Sequence, residues 1–283
     1  MRRLLLALFV LTGCSDPLLP AADGGPVSSS QCFGPPDGGV FLSGLSAPVP
    51  GCALPAPDSG VFKLSTLDAI ADGVLVIPPA ADGTALPVVF AFHGAYETGA
   101  VAQEEFDLEG AADGGAIVVY PTASQGAWDI RPDSRDGLKL DRLLRSLSEA
   151  YCIDPRRIYI AGFSSGAVYT LWLGCNVPAT FRALVAVAGT DTRFDLNCCK
   201  GSISGMSIHG TLDDSIPYSE GVEANNYVLV RDGCSTASTP DGAHCAAYTC
   251  PAPYAVDFCS WNGTHQVPDW AGAETWRFFD SQR

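Results

Sequence analysis

The amino-acid sequence predicts a doubly wound α/β fold with a mainly parallel sheet. From Gly73 onward, short β-branched or apolar runs alternate with helical patterns, an order typical of a parallel sheet that helices cover on both faces. The chain has 283 residues, of which 47% are hydrophobic and 17% charged, which suits one domain of roughly 200–250 residues with extra segments. Two complete domains are therefore not expected.

The predicted strands are short runs rich in β-branched and apolar residues. In chain order they are Gly73–Ile77, Pro87–Phe92, Ala116–Tyr120, Arg157–Ala161, Leu184–Ala188, Gly205–Ile208 and Tyr254–Phe258. Continuous apolar runs of this kind favour strands that are buried on both faces of a sheet.

The predicted helices follow these strands. They are Leu138–Tyr151, Ser165–Gly174, about Tyr218–Val230 and Ala271–Ser281. In the first of them the leucines recur every three or four residues and share one face, while Asp141, Arg142 and Arg145 lie elsewhere. This helix is therefore expected to cover the sheet with one apolar side.

The first thirteen residues have the pattern of a cleaved export signal. Two arginines precede an apolar run, Leu4–Leu11, which is too short to span a bilayer, for which about 20 residues are needed. The ending Leu-Thr-Gly-Cys is similar to the bacterial lipobox, and this resemblance implies that Cys14 becomes an acylated lipid anchor. We therefore expect an exported, membrane-anchored bacterial lipoprotein, either periplasmic or on the cell surface. An ordinary secretory signal with an incidental cysteine is the alternative.

Residues 14–60 differ in composition from the rest of the chain. They are rich in Pro, Gly, Ser, Ala and Asp and show almost no hydrophobic period. Such a segment cannot bury enough apolar area to offset the entropy of ordering. We interpret it as a tether that joins the lipid anchor to a folded domain over residues 61–283.

The charge balance argues against nucleic acid as a partner. Lys and Arg together number 16 against 31 Asp and Glu, which gives a formal net charge of −15. A protein that neutralises phosphates needs a basic stripe, and no short window of this sequence is rich in Lys or Arg.

The cysteines also indicate an oxidising compartment. Besides Cys14, the chain contains Cys32, Cys52, Cys152, Cys175, Cys198, Cys199, Cys234, Cys245, Cys250 and Cys259. This even number allows up to five disulfides, whose pairing the sequence leaves open. The adjacent Cys198 and Cys199 are expected to bond to different partners, because a disulfide between neighbours is strained. A zinc site is the alternative, although no zinc-ligand spacing is present; its residues would be Cys234, His244, Cys245, Cys250 and Cys259.

The strongest functional signal is Gly162-Phe163-Ser164-Ser165-Gly166. It lies between a predicted strand and a predicted helix, the context that a nucleophile elbow requires. In such an elbow the serine lies in a strained turn, and the flanking glycines keep side chains away from it. We therefore predict Ser164 as a nucleophile; a glycine-rich turn without catalysis is the alternative.

A serine hydroxyl needs a base and an orienting acid, in the chain order Ser, Asp or Glu, His. His265 follows the last predicted strand and is our predicted base, whereas His244 lies in a Cys-, Gly- and Ala-rich insertion that we expect to be a surface loop. Asp213 and Asp214 follow the strand ending at Ile208, and either satisfies the order rule. The residue pattern alone leaves the two open.

Two backbone N–H groups are expected to stabilise the oxyanion. One belongs to Ser165, directly after the nucleophile. The other comes from Ala95 in the loop His93-Gly94-Ala95-Tyr96, which follows a predicted strand. His93 is then structural, and the sequence implies no metal and no organic cofactor.

From about Gly73 to Phe279 the chain resembles the secreted polyhydroxybutyrate depolymerase and feruloyl esterase group of α/β-hydrolases. The matching stretches are Pro87–Gly94, Cys152–Arg157, His209–Tyr218 and Cys259–Pro268. The resemblance implies an α/β-hydrolase fold and assigns the acid to Asp213. Two positions depart from the group's pattern. Ala167 stands where a glycine is usual, and Gln-Val-Pro follows His265 where Trp-Pro-Gly is commoner.

These features together predict a serine carboxylic-ester hydrolase that acts on bulky or polymeric esters. The short segment between Ala188 and Gly205 leaves no room for a cap domain, so the site should be open. Trp128, Trp261 and Trp270 are candidates for an aromatic substrate platform; packing in the core or at the rim is the alternative. The alternative functions are a serine peptidase and a noncatalytic surface-binding lipoprotein.

Overall fold

The computed structural model describes residues 58–79, 85–131, 134–190 and 198–283. Its strands are β1 (Gly60–Lys63), β2 (Gly73–Ile77), β3 (Leu86–Phe92), β4 (Ile117–Pro121), β5 (Ile153–Phe163), β6 (Ala183–Val187), β7 (Ser204–Gly210), β8 (Ser238–Asp241), β9 (Cys245–Tyr248) and β10 (Val256–Trp261). Its helices are α1 (Gly99–Phe106), α2 (Leu108–Ala112), α3 (Arg135–Ala150), α4 (Ser165–Asn176), α5 (Tyr218–Arg231) and α6 (Ala271–Ser281).

All described strands belong to one sheet in the order β1-β2-β4-β3-β5-β6-β7-β10-β9-β8. Every pairing from β4 across to β10 is parallel, whereas the pairings at the two edges are antiparallel. The predicted mainly parallel α/β sheet is therefore confirmed. The carboxyl ends of the parallel strands meet at one edge, and the loops that leave this edge carry the candidate site.

Helices cover both faces of the sheet, as the chain order predicts. Alternate residues of β3 point to opposite sides: Phe90 packs in a core with the leucines of α3 and the aromatic residues of α4. Val89 packs in a second core with Phe106 of α1 and Phe279 of α6. α4 is buried almost all round, which explains why its sequence is apolar on every face.

Several short elements were not predicted. These are β1, α1, α2 and the hairpin β8–β9, which lies in the insertion expected to be a surface loop. β8 has an exposed sequence with Pro240 and no alternating apolar residues, and it is held by pairing with β9 at the sheet edge. Such a strand depends on backbone hydrogen bonds to its neighbour, so its own sequence carries little signal.

The disulfide prediction is confirmed over the described residues. Bonds join Cys175 to Cys199, Cys234 to Cys250 and Cys245 to Cys259, while Cys152 and Cys198 are also disulfide-bonded. The neighbours Cys198 and Cys199 thus have different partners. The zinc alternative is wrong, because these disulfides consume its thiols. Disulfides of this number are typical of an oxidising compartment outside the cytoplasm.

Several predictions concern residues outside the described part of the chain. They are the signal over residues 1–13, the anchor Cys14, and Cys32 and Cys52 in the tether. Among the helices that are described, none is both long and apolar enough to cross a bilayer.

A buried carboxyl in β10 makes the stability of the fold depend on pH. Asp257 is 6% exposed and lies beside Asp241 of β8, while Arg277 of α6 binds Asp241 at 2.6 Å. Burial and the neighbouring Asp241 charge raise the pKa of Asp257 to about 6, from 3.8. The folded state therefore binds this proton more tightly than the unfolded state does. The contribution of protonated Asp257 to stability is complete below the unfolded pKa and is lost as pH rises through 6.

We expect Asp257→Asn to remove this dependence. The asparagine stays uncharged and can donate to Asp241. The wild type should lose about 1.5 kcal/mol of unfolding free energy from this site between pH 5 and pH 8, and the variant should not. Urea unfolding at both pH values measures the difference, with the exposed Asp58→Asn as the control. An equal effect of Asp257→Asn at both pH values would contradict the proposed burial of a protonated carboxyl.

Candidate active site

Ser164 occupies a sharp turn between β5 and α4. Its backbone has φ 52° and ψ −115°, in a region that side-chain-bearing residues rarely adopt. Its N–H donates to the Val187 carbonyl oxygen at 3.0 Å, which ties the turn to the end of β6. The turn therefore presents the hydroxyl at the carboxyl edge of the sheet, as a nucleophile elbow does.

The two glycines of the motif are required by close backbone approach. A Cβ atom on Gly162 would lie 2.3 Å from the carbonyl oxygen of Gly166, and one on Gly166 would lie 2.2 Å from that of Phe92. These separations are far below van der Waals contact. The spacing of the glycines thus reflects how tightly β5, α4 and β3 meet beneath Ser164.

Three predicted side chains form one chain of hydrogen bonds. The Nε2 atom of His265 lies 2.8 Å from the Oγ atom of Ser164, and its Nδ1 atom lies 2.8 Å from Oδ2 of Asp213. Because an ionised carboxylate only accepts, Nδ1 carries the proton and Nε2 is free to accept from the serine hydroxyl. In this arrangement a carboxylate orients an imidazole that can take the serine proton.

Asp213, and not Asp214, contacts His265. The Asp213 side chain is fully buried, and its Oδ1 atom accepts the N–H groups of Ser215 at 3.0 Å and Ile216 at 2.9 Å. Asp214 is exposed. The choice that the residue pattern left open thus follows from the direction in which the loop after β7 turns.

The acid and the base meet because β7 and β10 are neighbours in the sheet. Gly210 pairs with Trp261 in parallel register, and the N–H of Leu212 donates to the Gly263 carbonyl oxygen at 2.9 Å. A Cβ atom on Gly210 would lie 2.3 Å from that same oxygen. The loop that carries His265 therefore lies directly on the loop that carries Asp213.

His93 is a buried structural residue, as predicted. Its Nε2 atom accepts the N–H of Ala123 at 2.9 Å, so the proton is on Nδ1, which donates to the Gly94 carbonyl oxygen. Burial lowers the pKa of this imidazole, which keeps the ring neutral. His93 thus links the loop after β3 to the loop after β4.

The predicted oxyanion donors lie in two segments next to Ser164. Ser165 is the first residue of α4, so its N–H has no acceptor within the helix. Ala95 is exposed, between Gly94, whose N–H donates to Glu97 at 2.7 Å, and Tyr96, whose N–H donates to the Gly126 carbonyl oxygen. These anchors fix the backbone on both sides of Ala95.

Some residues that hold this loop have no signal in the sequence. The contacts from Glu97 and Gly126 are examples, because a carboxylate or a carbonyl in a loop can serve many roles.

Burial and the nearby Glu97 and Glu104 charges raise the pKa of Glu105 in α1 to about 7. Glu105 is thus a partly buried carboxyl group that lies near two other glutamates, Glu97 and Glu104.

The prediction that Trp128 forms a substrate platform is wrong. The residue is 7% exposed, its ring stacks on Tyr169 at 5.1 Å, and its indole N–H donates to the His93 carbonyl oxygen at 2.9 Å. Its backbone N–H also donates to Oγ of Ser165 at 3.2 Å. Trp128 therefore packs beneath the site and supports the loop of His93 without presenting a face to solvent.

The other two tryptophans lie on either side of the His265 loop. Trp261 is partly exposed and meets Trp270 edge to face at 5.9 Å, so its role in substrate binding stays a prediction. The ring of His244, the alternative base, stacks on Trp270 at 4.3 Å in the turn between β8 and β9.

Sequence comparison relates the chain to known esterases. Residues 136–250 match the model of the phospholipase/carboxylesterase family. A probable feruloyl esterase C of Aspergillus flavus is 27% identical over 190 residues, which cover 62% of this chain and 68% of that protein. Feruloyl esterase C of Emericella nidulans is 28% identical over 193 residues, which cover 62% and 69%.

Solved structures share the fold. An acetyl xylan esterase from Aspergillus awamori superimposes with a TM-score of 0.63 at 15% identity, over 78% of this chain and 99% of that one. A ferulic acid esterase gives a TM-score of 0.58 at 14% identity, over 80% and 98%. The sheet order and these superpositions define an α/β-hydrolase fold. Within this class, the chain is related in sequence to the phospholipase/carboxylesterase group and to feruloyl esterases.

Proposed function

We propose that the protein is a serine carboxylic-ester hydrolase. The observation that carries the proposal is the continuous hydrogen-bonded chain from Ser164 through His265 to Asp213, with Ser164 in the turn between β5 and α4. The sequence relationship to carboxylesterases supports the same reaction.

The reaction follows from the roles of these groups. His265 Nε2 takes the proton as Ser164 Oγ attacks the acyl carbon, and Asp213 stabilises the imidazolium that forms. The N–H groups of Ser165 and Ala95 hold the oxyanion. His265 then gives the proton to the leaving alkoxide, which leaves an acyl-enzyme. A water molecule activated by the same imidazole hydrolyses this intermediate and restores Ser164.

For the substrate we propose bulky or polymeric esters, in particular feruloyl or acetyl groups on polysaccharides. Feruloyl and acetylxylan esterases are among the relatives. Only residues 188–203 separate β6 from β7, which leaves no length for a cap domain over the site. Tyr96, beside Ala95, is 89% exposed, and Leu212, beside Asp213, is 57% exposed. Apolar side chains on two sides of the site suit a large acyl or sugar group.

We also propose that the enzyme acts outside the cytoplasm while tethered to a membrane. The disulfides support the compartment. The signal over residues 1–13 and the lipobox-like ending at Cys14 support a lipid anchor, with residues 14–60 as the tether and 61–283 as the catalytic domain.

A panel of esters tests the proposal with the oxidised, full-length protein. We expect hydrolysis of p-nitrophenyl acetate and of methyl ferulate, and acetate release from acetylated xylan. Polyhydroxybutyrate, the other substrate of the group that the sequence resembles, is included in the panel. A fluorophosphonate should label Ser164, and peptide mapping distinguishes this residue from Ser165. Folded, disulfide-intact protein that hydrolyses no ester and takes no label would favour a noncatalytic binding role instead.

A further inference from the structure

We propose that His209 is a positioning residue that holds the carboxylate of Asp213 in the orientation that His265 requires. The inference rests on the proposed esterase function. The proposed reaction does not use His209 as its base. This histidine precedes Asp213 in the chain and lies beneath it in β7.

His209 contacts the acid loop at two points. The ring is buried, with 1% exposure, and its Nε2 atom lies 2.9 Å from the Ile216 carbonyl oxygen. A carbonyl only accepts, so Nε2 carries the proton. The same Nε2 atom lies 3.4 Å from Oδ2 of Asp213, the oxygen that accepts from His265. This N–H therefore donates to the loop backbone, and the nitrogen that carries it lies next to the carboxylate.

These contacts close a small ring around Asp213. Ile216 donates its N–H to Oδ1 of Asp213 and accepts from His209 through its carbonyl. The Ser215 N–H supplies a further bond to Oδ1. Oδ1 of the carboxylate thus has two backbone partners while Oδ2 accepts from His265, and His209 anchors the end of this loop to the sheet through Ile216.

Helix α5 leaves space for the imidazole at one position. A Cβ atom on Gly221 would lie 2.2 Å from Nδ1 of His209. A glycine inside a helix costs about 1 kcal/mol relative to alanine, so its presence here has a packing reason. The Tyr218 ring, also on α5, meets the imidazole edge to face at 6.0 Å. Sheet and helix together keep the ring pointed at the acid.

The expected effect is on turnover and not on substrate binding. Asp213 acts by aligning the Nδ1–H of His265, and a displacement of a catalytic group by about 1 Å can cost about 100-fold in rate. His209 itself has no position from which to touch the ester, because it lies beneath Asp213 and is buried. Loss of its N–H should therefore lower kcat while KM stays nearly constant.

The test compares His209→Leu, which removes the donor, with His209→Gln, which keeps an N–H of similar reach. We expect kcat for p-nitrophenyl acetate to fall about 10- to 100-fold in the leucine variant, with KM within threefold, and to recover to within about fivefold of wild type in the glutamine variant. Met206→Leu, a volume-conserving change on the same buried strand, should keep the wild-type kcat.

A second variant keeps the test decisive if His209→Leu does not fold. Gly221→Ala raises helix propensity and pushes on the imidazole, so it should lower kcat with KM unchanged. Folded variants at positions 209 and 221 that keep the wild-type kcat would overturn the inference, as would an equal loss in the leucine and glutamine variants. If the wild-type protein hydrolysed no ester, the proposed function itself would fail, which is a distinct result.

Discussion

Ser164→Ala is expected to lower kcat about a million-fold for every ester that the wild type hydrolyses. The variant removes the serine oxygen that His265 Nε2 contacts at 2.8 Å, so no acyl-enzyme can form at this position. Substrate contacts remain, and KM should change little. The fold should persist, because alanine carries the same backbone strain at this φ value and leaves the N–H bond to Val187 intact. Burst and steady-state assays with p-nitrophenyl acetate measure the loss.

Ser148→Ala is a matched control for this variant. Ser148 lies exposed on α3, where its hydroxyl donates only to the Arg145 carbonyl oxygen, so activity and fluorophosphonate labelling should match the wild type. Urea unfolding of both variants checks that any loss is chemical. If Ser164→Ala retained more than a thousandth of the wild-type kcat with its fold intact, another nucleophile would have to be sought.

Asp213→Asn is expected to lower kcat about ten-thousand-fold, whereas Asp214→Asn should change it less than threefold. The two residues are neighbours, but only Asp213 is buried and lies 2.8 Å from His265 Nδ1. An asparagine can present its N–H₂ to the imidazole, which favours the wrong tautomer and leaves Nε2 unable to accept the serine proton. Substitution of the exposed Asp214 removes one charge from a surface that is already acidic.

Rates with p-nitrophenyl acetate, measured side by side, test this pair. Asparagine at 213 keeps one oxygen for the Ser215 and Ile216 N–H groups, so its stability should fall by less than about 2 kcal/mol. The reverse pattern, with Asp214→Asn inactive and Asp213→Asn active, would mean that the acid loop turns the other way in the working enzyme.

Local patterns predicted the central strands, the long helices and the serine elbow. Each of these carries its signal within a few residues: the leucine period of α3, the apolar run of β3, or the glycine spacing around Ser164. β8 and α2 were missed because an exposed edge strand with a proline and a five-residue helix have almost no such period. Their formation depends on neighbours that are distant in sequence.

The sequence alone was enough to predict the reaction class. Ser164 lies in a predicted elbow, and His265 follows it in the chain order that a serine hydrolase of this fold requires. The residue pattern left two aspartates open and the family resemblance implied Asp213; only the tertiary structure shows that Asp213 meets His265 and that Trp128 is buried under the loop of His93. The same holds for the contact of His209 with the acid loop. These outcomes depend on strand neighbours, backbone hydrogen bonds and the room that glycines leave. They are set by packing between segments that are distant in the chain, and a short stretch of sequence does not predict such contacts.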